Sequence, residues 1–336
     1  MRLFCLLIFI FKQLLYLFRY FCARMKVFKK LSALPPIPNA VITIGSFDGV
    51  HRGHQQILQQ VKELAAKENG ESVVITFHPH PRHVLSPDKD SFGLITSVEE
   101  KAALLEQYGI DNVVVVPFTA TFYEQSPRAY IEDFLVKNFQ PRWVVIGYDH
   151  RFGKGRTGSI SDLKQYEANG VFSLLEIEKQ EVEDIAVSST KIRKAVKGGE
   201  MEKAHQLLGH YFGLSGRVTH GQRIGHTLGY PTANIELAEP NKLIPNYGIY
   251  AVHVMHHHEK YQGMLYIGDR PTLADHHNKT IEVNIFNFSK EIYGDLLSVE
   301  FVRFLRKDQR FDGLEALKEQ LNKDQLAALK VLNEVV

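Results

Sequence analysis

The chain has 336 residues, 44% of them hydrophobic, and its 40 basic and 38 acidic residues leave a formal net charge of +2. That length and apolar content suggest two domains with sizeable cores, and the balanced charge points to no nucleic-acid or acidic partner, so any phosphate binding must be local. Both cysteines, Cys5 and Cys22, lie in the first 24 residues. The rest of the chain therefore offers no disulfide framework, which fits a reducing cytoplasm.

Residues 1–24 carry Arg2, Lys12, Arg19 and Arg24, no acidic residue, and a dense run of Leu, Phe and Ile. A membrane-spanning helix needs about 20 mostly apolar residues, and Lys12, Gln13 and Arg19 interrupt this run. A signal peptide needs a small-residue cleavage site, and none is persuasive near Arg24. The expectation is a mis-called start with Met25 as the true beginning and no stable membrane association; an anchor is the alternative. The Pro-rich approach Leu34 to Pro38 then leads into the first strand.

That strand, Val41 to Ile44, runs into Gly45-Ser46-Phe47-Asp48-Gly49-Val50-His51-Arg52-Gly53-His54 and a helix predicted from Arg52 to about Lys67. The glycines let the backbone turn sharply at a strand's carboxyl end, the helix N-terminus offers free amides to phosphate, and His51 and His54 add donors. The pattern resembles the His-x-Gly-His nucleotidyltransferases, which stabilise attack on an α-phosphate with positioned donors and no covalent intermediate. The alternative is a structural glycine turn with two surface histidines.

Apolar runs at Val73 to Phe77, Val113 to Val116, Trp143 to Gly147 and Phe172 to Ile177 alternate with helical spacing near Glu99 to Tyr108 and Arg128 to Asn138. The alternation predicts an α/β domain with a doubly wound parallel sheet and ligands at the strand carboxyl ends. Three further strand ends stand out. Pro79 and Pro81 are expected to hold an extended loop with His78 and His80 available to a ligand. Asp149 follows the strand ending at Gly147, and Gly153, Gly155 and Gly158 spell G-x-G-x-x-G too late in the sheet for a dinucleotide fingerprint, so the stretch is read as a nucleotide-contacting loop. Ser188 and Thr190 precede a short basic helix whose Arg193 could reach phosphate; a capped surface helix is the alternative.

From about Tyr211 the chain changes to short strands without helices between them: Phe212 to Val218, Gly248 to Met255, Tyr261 to Ile267, Thr280 to Asn287 and Leu296 to Phe304. This predicts a small antiparallel β-barrel. A closing helix is expected to use Leu314, Leu317, Leu321, Leu326 and Leu329 as its apolar face. Gly221, Gly225 and Gly229 lead into Pro231-Thr232-Ala233-Asn234, where Thr232 and Asn234 offer oxygen ligands for a hard cation such as Mg²⁺; a turn built on Pro231 is the alternative. His256-His257-His258 is read as a solvated hairpin tip, with metal binding as the alternative.

The four N-terminal segments in this order, together with Pro-Thr-Ala-Asn and the stretches Pro245 to Ala251, Gly268 to Thr272 and Ile281 to Phe288, resemble the bacterial bifunctional riboflavin kinase and FAD synthetase family. The resemblance implies an adenylyltransferase domain over 25–197, a linker over 198–210 and a riboflavin kinase domain over 211–336. It implies riboflavin, FMN and ATP as ligands and Mg²⁺ as metal. Carried over by motif, Gly45, Phe47, Asp48, His51 and His54 would hold the triphosphate and Asp149 would sit near adenosine or ribose. Ser188, Thr190 and Arg193 would complete that phosphate site. In the barrel, Gly221, Gly225 and Gly229 would cover ATP, Thr232 and Asn234 would hold Mg²⁺, and Glu282 would take the proton of the attacking hydroxyl. The chain departs from the family pattern at His226, Asn284 and Asn287, which bears on phosphate affinity and on the partners of Glu282.

Overall fold

A computed structural model describes residues 25–86, 92–177, 187–221, 225, 228–269 and 279–334. The expectations for residues 1–24, Arg223, His226 and Arg270 to Thr272 lie outside them. The described residues form two compact units: one holds 25–46, 55–81 and 102–177, the other 47–54, 82–86, 92–101 and those from 187 on.

The first unit is built on six strands, β1 (Lys26–Phe28), β2 (Val41–Ile44), β3 (Ser72–His78), β4 (Asn112–Pro117), β5 (Trp143–Gly147) and β6 (Ser173–Ile177). They lie in the order β1-β4-β3-β2-β5-β6, and every neighbouring pair is parallel. Val41, Ile42, Val73, Val74, Val144 and Val145 are fully buried, as a sheet covered on both faces requires. Helix α1 (Arg52–Lys67) links β2 to β3, α2 (Val98–Gln107) precedes β4, and α3 (Ile160–Ala168) precedes β6. Between β4 and β5, Pro127 to Phe139 is helical, but its middle widens into a π-turn over Tyr130–Val136, with the Lys137 amide donating to the Glu132 carbonyl. Ile131, Phe134 and Leu135 from that stretch join the strand residues in one core. Order reverses between β2 and β5, so the chain after β2 and after β5 leaves the sheet at its switch point. The three-residue β1, a parallel edge strand on β4, is too short to show periodicity in the sequence.

In the second unit, β7 (Phe212–Thr219), β8 (Ala233–Leu237), β9 (Gly248–His256), β10 (Glu259–Asp269), β11 (Lys279–Ile285) and β12 (Leu296–Arg306) close an antiparallel barrel in the order β10-β11-β8-β7-β12-β9. Side chains alternate inward and outward along β7, and Phe212, Leu214, Tyr250, Val252, Leu265, Val283 and Phe301 fill the interior. Strand β8, additional to the five expected, opens with the Ala233 and Asn234 of the Pro-Thr-Ala-Asn run. Two further helices, α4 (Ser189–Lys197) and α5 (Met201–Leu208), precede the barrel, and α6 (Leu314–Glu334) follows it.

Helix α6 keeps part of the expected apolar face and corrects the rest. Leu321 and Leu329 pack against the cluster in which the helix buries Ala328, Val331 and Leu332 with Ile249, Ala251 and Val302, whereas Leu314 and Leu326 are each 61% exposed. A polar anchor that leucine spacing does not reveal adds to these contacts. Asp324, 3% exposed, receives Arg306 Nε at 2.8 Å and Nη2 at 2.7 Å, and Gln320 Nε2 at 2.9 Å. A bidentate pair of this kind is strong, and removing one partner strands a buried charge. Asp324→Ala should therefore lower the unfolding free energy by about 3 kcal/mol, read by urea denaturation of the full chain.

Candidate functional site

The loop between β2 and α1 has an unusual backbone. Phe47 and Val50 adopt left-handed conformations at φ 45° and 39°, and Gly49 stands at φ 84°. For a β-branched residue such as Val50 this is strained, and strain of this kind persists only where the surroundings impose it. A Cβ at Gly49 would lie 2.9 Å from Ile95 Cγ2, so both space and conformation demand glycine there. Asp48 supplies the constraint. Its carboxylate, 1% exposed, accepts the backbone amides of Ile95 and Thr96, both on Oδ1 at 3.0 Å, and pairs with Arg193 Nη2. Arg193 also donates from Nε to the Gly93 carbonyl at 2.8 Å and stacks over the Phe92 ring at 4.0 Å. The Gly49 amide donates to Thr96 Oγ1, and His210 Nε2 lies 2.9 Å from the Gly49 carbonyl.

This geometry gives two of the motif residues a structural role. Asp48 and Arg193, expected at phosphate, face each other inside the protein and brace the loop. Charge neutralisation explains the pairing, because either group buried alone would be unfavourable by several kcal/mol. Ser188 is the N-cap of α4, accepting the Lys191 amide at 3.3 Å, while Ser189 Oγ donates to the Asp48 carbonyl. Ser188 and Thr190 are exposed.

The braced loop presents the two motif histidines. Their rings stack 3.7 Å apart at 11°, with Phe47 tilted 5.0 Å from His54. Burial lowers the His51 imidazolium pKa to about 4; burial, then the neighbouring His51 and Lys101, lowers that of His54 well below 6.5. Both rings are therefore neutral at pH 7. His51 Nδ1 accepts the His54 amide at 3.3 Å, so the proton of neutral His51 sits on Nε2, which becomes the ring's donor. Lys101, 4% exposed and lowered to about 8 by burial, is a cation that the sequence reading missed. Its only signal was a lysine amid Ala102, Ala103, Leu104 and Leu105 on a helix.

In the first unit, the Gly45 amide donates to the Ile75 carbonyl and Thr76 Oγ1 to the Ser46 carbonyl. The expected extended loop after β3 is only partly so: Pro81 starts a short helix, Pro81–Leu85, as proline at a first helical turn can. His78 is exposed, whereas His80 is buried at 8% exposure. Asp149 is exposed in the Gly147 to His150 turn, closed by the His150 amide on the Gly147 carbonyl at 3.0 Å. His150, also unforeseen, is held near pKa 4 by burial, and its Nε2 has no hydrogen-bond partner among the described residues. Of the three glycines after it, Gly158 pairs with Phe152, where a Cβ would fall 2.5 Å from the Phe152 ring, while Gly153 and Gly155 stand at φ 69° and 62°.

In the barrel, ladder register brings the polar residues together. Asn234 pairs with Thr219 on β7 and with Glu282 on β11. Glu282 is half-buried and accepts Thr232 Oγ1 at 3.1 Å and Thr280 Oγ1 at 3.3 Å. Asn284 donates to the Pro231 carbonyl at 2.7 Å, so this departure from the family pattern ties β11 to the Pro-Thr-Ala-Asn turn. A Cβ at Gly221 would fall 2.1 Å from Asn234 Nδ2 and one at Gly225 2.3 Å from the Tyr230 carbonyl oxygen, while Gly229, at φ 85°, borders open space. His257 and His258 are the exposed hairpin tip expected for the histidine run, whereas His256, on the strand before it, is buried at 5%.

The histidine shifts set an acid response. Unfolded His51 takes a proton near pH 6.5 and folded His51 only near 4, so the unfolded state binds more protons between these values. The stability that His51 contributes is complete above about 6.5 and falls as pH drops toward 4. At about pH 5 the loss is about 2 kcal/mol, and His51→Gln should remove that part of the decline in a thermal-denaturation pH series.

A family model described as FAD synthetase matches residues 35–191, and one described as riboflavin kinase matches residues 208–332. The bifunctional riboflavin kinase/FMN adenylyltransferase of Listeria monocytogenes is 40% identical over 85% of this chain and 90% of its own. The protein of the same name from Escherichia coli K12 is 36% identical over 90% and 97%. A crystal structure named as a macrolide-efflux protein from Streptococcus pneumoniae superposes with a TM-score of 0.79 at 30% identity, over 91% of this chain and 98% of that one. No helix among the described residues is long and apolar enough to cross a membrane. With both halves matched in order and full-length relatives well above 30% identity, the chain belongs to the bifunctional riboflavin kinase/FMN adenylyltransferase family.

Proposed function

We propose that the chain makes FMN and then FAD at two chemically different centres. Riboflavin is phosphorylated by ATP in the barrel, and AMP is transferred from a second ATP to FMN, with release of pyrophosphate, at the His-x-Gly-His motif. The observation that carries this reading is the pair of dissimilar polar sets: a hydroxyl-bonded carboxylate at Glu282, and two stacked neutral histidines at the start of α1.

Glu282 is the general base. Two hydroxyls hold its carboxylate in place, and it accepts the proton of the riboflavin primary hydroxyl as that oxygen attacks the γ-phosphorus. The donor set beside it, the Thr232 hydroxyl and the Asn234 amide oxygen, consists of the hard oxygen ligands that suit Mg²⁺. Thr232 and Asn234 would hold that ion, which neutralises phosphate charge when bound. Gly221, Gly225 and Gly229 leave the backbone free of side chains where it would cover the phosphates.

At the motif, His51 Nε2–H and His54 act as neutral donors to the triphosphate, with the α1 N-terminal amides and the charge of Lys101 adding to them. Neutral donors suit a transition state that spreads charge over several phosphate oxygens, and no covalent intermediate is required. Gly45 leaves the backbone open at the strand end, and the aromatic ring of Phe47 backs His54. Asp149 contacts adenosine or ribose, and His78 reaches the flavin nucleotide; His80, Ser188 and Thr190 shape the surrounding loops. Asp48 and Arg193 act by holding the loop.

Chromatography of flavins after incubation with riboflavin, ATP and Mg²⁺ tests the assignment. The intact chain should produce FMN and then FAD. Glu282→Gln should lower FMN formation about 100- to 10,000-fold while still converting supplied FMN to FAD. His54→Ala should do the reverse, with FAD formation down about 100- to 1,000-fold and FMN formation kept. Loss of both activities in either variant would refute two separate centres.

A further inference from the structure

The turn joining β9 to β10 is a two-residue loop. His256 and Glu259 pair across the ladder, and His257 and His258 stand at φ 46° and 70°. Two successive left-handed residues make the hairpin geometry that favours Asn-Gly, and histidine is a strained choice there. Beside this turn the chain entering β12 is pinned to β7: the Gly294 amide donates to the Val218 carbonyl and the Val218 amide to the Asp295 carbonyl, each at 2.9 Å. The pinned backbone sets the Asp295 carboxylate against both histidines, with Oδ2 2.9 Å from His256 Nε2 and 3.5 Å from His257 Nε2. One donor atom from each residue lies within 4.8 Å of the other two. His256 is fixed from behind by the edge-on ring of Phe288, while the side chain of His257 is 74% exposed, so the cluster has a rigid back and an open front. The Glu259 carboxylate is within electrostatic reach of both imidazoles and adds negative charge.

Two imidazole nitrogens and a carboxylate oxygen are the donor set of an open zinc site, with bonds of about 2.0–2.2 Å. Tetrahedral geometry at those bond lengths separates ligand atoms by about 3.4 Å. The distances of 2.9 and 3.5 Å bracket that value. We propose that His256, His257 and Asp295 bind a divalent transition ion of the zinc type, with a fourth position open to water. The hard ions Mg²⁺ and Ca²⁺ take oxygen donors and do not suit two imidazoles. The site is separate from the kinase centre: Tyr266, opposite Glu282 in the ladder, lies about 25 Å along β10 from the turn at the usual rise per residue. A bound ion would clamp the β9–β10 turn to the start of β12.

Titration of the metal-stripped full chain with zinc against a chromophoric chelator tests this, with cobalt(II) as a spectroscopic probe. The wild type should bind one equivalent that is weakened more than about tenfold in His257→Ala and in Asp295→Asn. Its cobalt form should show the visible absorption of a four-coordinate ion, and both variants should lose it. His257 is exposed and outside the kinase machinery, so FMN formation by His257→Ala should equal that of the wild type and report an intact barrel. Equal zinc stoichiometry, affinity and cobalt spectra in the wild type and both variants would overturn the proposal.

Discussion

Most of the geometry around the His-x-Gly-His loop follows from one buried carboxylate. Asp48 satisfies two backbone amides of the segment before α2 and neutralises Arg193, which reaches it from 145 residues away along the chain. Without that anchor, the left-handed backbone at Phe47 and Val50 would relax, because neither residue favours it in isolation. The stacked histidines stand on this loop, so their spacing and tautomer depend on a carboxylate buried beneath it. Breaking one member of such a pair leaves an uncompensated charge at a cost of about 3–5 kcal/mol.

The brace extends further. The stretch that receives Asp48 is itself held from behind: the Leu94 amide donates to the Asn241 carbonyl, the Leu243 amide to the Leu94 carbonyl, and Lys242 Nζ to the Ile95 carbonyl at 2.6 Å while also pairing with Glu100. His210, just before the barrel, meets the Gly49 carbonyl. The loop that begins the nucleotidyltransferase motif is thus packed within the unit that contains the barrel, which is why Phe47–His54 groups with the C-terminal part of the chain. Linear position alone would place it elsewhere.

In the barrel the organising device is register. Asn234 faces Thr219 on one side and Glu282 on the other because β8 lies between β7 and β11. A one-residue slip of β8 would send Asn234 to the opposite face, away from both. The Asn284 bond to the Pro231 carbonyl and the close approach of Gly221 to Asn234 and of Gly225 to Tyr230 guard that register. Here the departure at Asn284 has a structural answer, since its amide supplies the donor that fixes the turn.

The sequence by itself determined the alternation of buried strands and helices, the switch to short strands after Tyr211, and the motifs that carry both chemistries. Helix α1 runs from Arg52 to Lys67 as its periodicity predicts. These are properties of neighbours along the chain: the spacing of apolar residues, and glycine and proline at turns. Tertiary structure alone decided that Asp48 and Arg193 face each other, that Lys101 and His54 are buried together, and that Asp324 of α6 is buried against Arg306 while Leu314 and Leu326 are exposed. It also turned a run of three histidines into one buried ring, two turn residues and an aspartate partner 39 residues on. The reason is physical: the state of a charged or polar side chain is set by burial and by partners brought close through folding, and local sequence carries no record of either.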